Sequence, residues 1–166
     1  MELVIVMTLT VVVLGIIWTM FSIGNKIISD VVIKSDLQRE GQAIQEQLSN
    51  IGMQATGIEP VSGDESTGEI SIIEINSYEN GKNGPSKTFE MKNESGTIFI
   101  GGKELSSHLE SIKIINKEII NKTEEEISNN TYIDFTITLS KKKTYNNEII
   151  RLPIKVRTVF RNKNIS

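Results

Sequence analysis

The side chains able to do chemistry are few and scattered. His108 is the single histidine and cysteine is absent, which excludes a two-histidine metal site, thiolate ligands and a cysteine nucleophile. Serines are numerous, but none stands in a Gly-x-Ser-x-Gly elbow. Gly101-Gly102-Lys103 lacks the glycine spacing of a phosphate loop and reads as the close of a strand. Asp64-Glu65 and Glu124-Glu125-Glu126 offer oxygens to calcium without the alternating spacing of a calcium loop, and read as solvated acidic faces. The expectation is therefore no catalytic residue, no metal ligand, no cofactor and no enzymatic activity. One carboxylate stands apart. Glu2 lies directly against residues 3–23, none of them charged, where a membrane anchor ordinarily carries Lys or Arg. A charge in that setting asks for a partner.

The element that positions Glu2 is a long helix. Residues 3–23 as helix span about 31 Å, the thickness of a bilayer's hydrocarbon core. They are apolar on every face, unlike a core helix of a small domain. The run is too long for a secretory signal and no small-residue cleavage site follows it, so the segment is expected to stay with the protein. After Gly24 the pattern becomes one-sided. Ile27, Ile28, Val31, Val32, Leu37, Gly41, Ile44, Leu48, Ile51 and Ala55 recur three or four apart, opposite Lys34, Asp36, Gln38, Arg39, Glu40, Gln42, Gln45, Glu46 and Gln47. With no proline to break it, the helix is predicted to reach about Ala55, roughly 80 Å from its start. Gly57 and Pro60 then end it, with Gly52 as an earlier stop.

The rest of the chain reads as strands. Runs rich in β-branched residues occupy 69–77, 88–92, 96–100, 111–120, 132–140 and 148–161, with Leu105 and Leu109 as a short helical turn carrying His108. Asn93-Glu94-Ser95-Gly96 and residues 141–147 predict hairpins. In the last two strands Ile133, Phe135, Ile137 and Leu139 alternate, as do Leu152, Ile154, Val156 and Thr158. The predicted fold is α+β: a long N-terminal helix, membrane-spanning in its first half and amphipathic in its second, packed on an antiparallel sheet. The divisions are 1–24, 25–56 and 57–166.

Charge is uneven beneath the overall −3. From Tyr132 onward, Lys141, Lys142, Lys143, Arg151, Lys155, Arg157, Arg161 and Lys163 oppose Asp134 and Glu148, so this end carries +6 and the remainder −9. These residues read as solvated faces, or as one half of a head-to-tail complement between copies. Without interleaved aromatics or a known motif they do not predict nucleic-acid binding.

Glu2-Leu3-Val4-Ile5-Val6 and the apolar run after it resemble the N-terminus of type IV pilins and pseudopilins, the prepilin-type N-terminal methylation motif. In that family a short basic leader ends in Gly, a dedicated peptidase cuts before Phe, and the mature chain opens Phe-Thr-Leu-(Ile or Met)-Glu-Leu. Met1 matches the position before the glutamate, and the codons upstream are expected to encode such a leader and Gly-Phe-Thr-Leu. The resemblance covers residues 1–24. A proline many members carry late in this helix is absent, the prolines here being Pro60, Pro85 and Pro153. Further on, Gln54-Ala55-Thr56-Gly57 and Arg157-Thr158-Val159-Phe160-Arg161-Asn162 are similar to minor pilins and J-type pseudopilins.

The resemblance implies a structural subunit of a type IV pilus or type II secretion-like filament. Glu2 would neutralise the terminal amine of a preceding subunit during assembly, with Leu3, Val6, Leu9, Val13, Ile16, Ile17 and Met20 packing against other helices. Other pilin or pseudopilin subunits, the inner or cytoplasmic membrane, an assembly platform and a prepilin peptidase are the implied partners. The implied location is a single-pass membrane protein with its head outside the cytoplasm, then a cell-surface filament. Lys26 and Lys34 alone would place the C-terminal side inside; the family implies the opposite. The alternative is a single-pass, membrane-anchored extracellular binding or sensing module. Glu2 favours the subunit, because an ordinary anchor gains nothing from a carboxylate there.

Overall fold

The structure, a computed structural model, describes residues 2–59, 61–78, 86–116, 119–123 and 132–160. One helix, α1 (Glu2–Gly52, 51 residues), dominates it. At 1.5 Å per residue it is about 77 Å long. Ile33, Leu37, Gly41, Ile44, Leu48 and Ile51 form its buried stripe. Burial begins at Ile33, later than the expected Ile27: Ile27, Ile28, Val31 and Val32 remain more than half exposed. The helical turn explains the shift. At about 100° per residue, Lys26 and Asp30 continue the stripe of Ile33 and Leu37, whereas Ile27 falls on its flank and Ile28, Val31 and Val32 on the far side.

The helix stops at Gly52, the earlier of its two predicted ends. Ser77 Oγ donates to the Ile51 carbonyl at 2.9 Å, satisfying one of the acceptors every helix C-terminus leaves open. The next residues leave helical geometry for strand β1 (Ala55–Ile58), where burial of Ala55 and Ile58 and pairing with Ile75, Asn76 and Ser77 use the backbone groups a longer helix would have used.

Among the described residues nine strands form two antiparallel sheets, where a single sheet was expected. The first is ordered β1, β3 (Ile72–Tyr78), β4 (Ser86–Glu94), β5 (Thr97–Ile100), β6 (Lys103–Ser106). The second is ordered β2 (Glu69–Ile70), β7 (Leu109–Ile114), β8 (Tyr132–Lys142), β9 (Ile149–Val159). The predicted β4–β5 hairpin turns on Ser95 and Gly96, both at positive φ, with Glu94 opposite Thr97, as a two-residue loop requires. The longest pairing is β8 with β9, in register from Tyr132↔Val159 to Lys142↔Ile149.

Two expectations fail in detail. Leu105 and Leu109 belong to strands β6 and β7, and His108 sits in the bend between them; the Leu109 N–H donates to the Gly96 carbonyl at 2.8 Å, which ties the bend to the neighbouring hairpin. The strand predicted over 111–120 ends at Ile114. There Asn116 Oδ1 accepts the Asp134 N–H at 3.0 Å, replacing the next rung of the ladder with a side chain. The predicted loop over 80–85 and the acidic run Glu124-Glu125-Glu126 lie outside the described residues.

The core is one cluster between α1 and the sheets. Leu37, Leu48, Ile73, Ile75, Met91 and Phe135 are among its fully buried members. At Gly41 the packing is tight: a Cβ would stand 2.7 Å from Ile154 Cδ1. β9 therefore runs alongside α1, with Ile154 at Gly41 and Thr158 at Gly52.

Candidate assembly and membrane surface

The described chain leaves one large surface unused. Every large hydrophobic of α1 from Leu3 to Val32 is exposed, and among the described residues the head's contacts with the helix begin at about Lys26. The predicted packing residues all belong to this surface: Leu3, Val6, Leu9, Val13, Ile16, Ile17 and Met20 are between 45% and 72% exposed. At about 100° per residue they fall within one arc of about 140°, and Val4, Val11 and Trp18 on the opposite side are exposed as well. Shallow concavities between side chain ridges, such as that lined by Val6, Leu9, Thr10, Val13 and Leu14, are the grooves any helix surface presents to a neighbour. One helix of this length and apolarity is enough to cross a membrane.

The polar groups within the segment are compatible with a dry environment. Thr8, Thr10 and Thr19 donate to the carbonyls of Val4, Val6 and Gly15 at 2.8, 2.8 and 2.9 Å, so their hydroxyls need no water. Gly15 and Gly24 have open space where a Cβ would sit. Glu2 is exposed in the first turn of α1, where the helix dipole favours a carboxylate.

Compared with protein families, curated proteins and solved structures, the chain matches none.

A second polar constellation was not foreseen. Ser106, 4% exposed, donates to Glu40 Oε2 at 2.5 Å, and His108 Nδ1 lies 3.0 Å from the same oxygen. The His108 backbone N–H completes the ring by donating to Ser106 Oγ at 3.0 Å. Serine, histidine and carboxylate meet here, but the order of bonds is wrong for a nucleophile. The hydroxyl proton is held by Glu40, and no ring nitrogen is placed to take it. What the arrangement does is fasten α1 to the bend between β6 and β7. Glu40 looked like one more residue of a solvated face; nothing local in the sequence marks it.

The acidic pair of the first connector is also structural. Asp64 accepts from Ser66 Oγ and N–H at 2.7 and 2.9 Å and from Thr67 Oγ1 at 2.8 Å. These bonds, that from the Ser66 hydroxyl foremost, draw its carboxyl down to about 2. Among the described residues no three His, Cys, Asp or Glu side chains gather to hold a metal.

Four of the six described basic residues of the C-terminal end are paired within the molecule, Arg161 and Lys163 lying outside the described residues. Arg157 meets Asp134 through two bonds of 2.7 and 2.6 Å and holds that carboxyl below its ordinary value. Arg151 meets Glu110 at 2.8 Å, Lys141 meets Asp36 at 3.3 Å, and Lys143 meets Asp30 and Glu148 at 3.1 and 2.8 Å. These internal pairs leave Lys142 and Lys155 without a carboxylate partner among the described residues.

Proposed function

We propose that this protein is a structural subunit, a minor pilin or pseudopilin, of a type IV pilus or a type II secretion-like filament. It has no chemistry of its own and works by burying its N-terminal helix among other helices. The observation that carries this reading is the exposure of α1 on every face from Leu3 to Val32. An apolar surface of that extent is unstable in water, and residues 3–23 match a bilayer before assembly. The long helix on antiparallel sheets agrees with the pilin-like architecture that the motif around Glu2 implies. Before assembly the chain is a single-pass membrane protein with its head outside the cytoplasm; afterwards it lies in a surface filament.

Lipid alone would also cover the apolar helix, which is the case of a monomeric anchor. Glu2 separates the two. In a bundle of helices a carboxylate costs several kcal/mol unless it is paired, so a subunit in correct register, with its neighbour's terminal amine against Glu2, is favoured over every slipped one. The test is Glu2→Ala in the full precursor, comparing abundance in the membrane with incorporation into sheared or secreted fibres. Normal membrane abundance with incorporation reduced several-fold is expected. Unchanged incorporation removes Glu2 from assembly, and lost membrane abundance points to the simple anchor.

A further inference from the structure

Among the described residues, the loop joining β8 to β9 is the part of the head that reaches the C-terminal end of the apolar segment. Because β9 runs beside α1, Thr158 lies at Gly52, Ile154 at Gly41, Lys141 at Asp36 and Lys143 at Asp30. The loop itself reaches Lys26, whose Nζ is 5.8 Å from the Tyr145 ring centre. Lys143 Nζ lies 5.7 Å from the same centre. Lys26 is only about 4.5 Å along the helix beyond Ile23. The headgroup layer on each side of a bilayer is roughly 5–7 Å deep. If residues 3–23 fill the hydrocarbon core, Lys26 and the loop fall in that layer.

The chemistry of the loop suits this position. Lys143 is committed to Asp30 and Glu148, and its affinity for the proton is raised, first by its bond to Glu148 and then by that to Asp30. Burial works against the charge on Asp30, yet Tyr145 and Lys143 beside it hold its carboxyl below the ordinary value, although Oδ1 has no hydrogen-bond partner of good geometry. These pairs fasten the loop to the helix. They leave Lys26 and the exposed Lys142 without a carboxylate partner among the described residues. Tyr145, 39% exposed, adds the amphipathic ring that is enriched at membrane interfaces. The loop is concave and mostly polar, lined by Lys142, Lys143, Thr144, Tyr145, Asn146 and Asn147.

We propose that the β8–β9 loop, with Lys26, Lys142 and Tyr145, docks on anionic phospholipid headgroups and sets the depth and tilt of the subunit in the membrane before assembly. This rests on the reading that residues 3–23 cross a bilayer. A cation at an anionic surface gains attraction that a neutral surface does not supply, and added salt weakens it.

The chain has no cysteine and one tryptophan, Trp18, so both claims can be read separately in one sample. Full-length Asn147→Cys carries a fluorophore and is reconstituted in phosphatidylcholine vesicles with or without phosphatidylglycerol. Lipids spin-labelled at the acyl chain report on Trp18, and lipids labelled at the headgroup report on residue 147. The expected result is Trp18 quenched in both vesicles, and the label at 147 quenched roughly twofold more when phosphatidylglycerol is present. Lys26→Gln with Lys142→Gln should abolish that increment, with an unchanged circular dichroism spectrum. Trp18 quenched while residue 147 ignores lipid charge overturns the docking and leaves the span. Trp18 unquenched overturns both. Quenching at 147 that follows protein density and not lipid charge assigns the loop to a second copy and also overturns the proposal.

Discussion

Gly41 of α1 and Ile154 of β9 face each other, with 2.7 Å between the position of a Cβ on Gly41 and Ile154 Cδ1. Glycine is a poor helix former, about 1 kcal/mol worse than alanine, and its presence there is explained by the strand it must admit. Gly41→Leu is expected to lower the stability of the head by about 1–3 kcal/mol, the usual cost of overpacking a well-filled core. Gly15→Leu, in open space, should leave the head's denaturant midpoint unchanged. Equal effects of the two substitutions would contradict the packing described.

The head should fold without the apolar segment. Its contacts with α1 begin at about Lys26 and its buried stripe at Ile33, so residues 25–166 retain the whole core. Expressed alone, this portion is expected to be soluble, to show mixed helix and strand by circular dichroism, and to melt cooperatively. A disordered spectrum would mean that residues 3–23 stabilise the head in a way the contacts do not reveal.

How far the fold could be read depended on whether a signal was local. The helix was legible because no proline interrupts residues 2–52 and because the loss of all-round apolarity after Gly24 is a change of composition. The alternation of Ile133, Phe135, Ile137 and Leu139 was enough for β8. By contrast, β1 contains Thr56-Gly57 and read as a helix end, and Leu105 with Leu109 have the spacing of a helical turn although hydrogen bonds across the sheet hold them extended. The division into two sheets depends on pairings such as Glu69↔Lys113, which join distant segments. For the same reason the Glu40, Ser106 and His108 ring was invisible, its members being 66 and 68 residues apart. The candidate surface was the reverse case: exposure of an apolar helix follows from its own residues, and its boundary at Val32 shifted only because Lys26 and Asp30 take the head-facing side.

Acid should find the first connector. The Asp64 carboxyl is depressed from 3.8 to about 2 in the folded chain, chiefly by the Ser66 hydroxyl and then by Thr67. A folded value below the unfolded one means stability that is fully present above about pH 4 and lost as the pH falls through about 2. Asp64→Asn in residues 25–166 should therefore lower the urea midpoint at pH 7. The gap to the parent should narrow progressively between about pH 4 and pH 2. A gap that stays constant over that range would mean that the charge of Asp64 contributes nothing.

The exposed face of α1 is best tested in living cells of the native host. A photo-crosslinking amino acid is placed at Val13 or Ile17, both exposed in the isolated chain, within the leader-bearing precursor, and adducts are identified by mass spectrometry after irradiation. A filament subunit predicts covalent adducts with the apolar N-terminal helices of other subunits, enriched in sheared or secreted fibres and lost when the assembly ATPase is inactivated. Adducts with lipid alone, under conditions where fibres are made, would contradict assembly through this helix and leave a monomeric anchor.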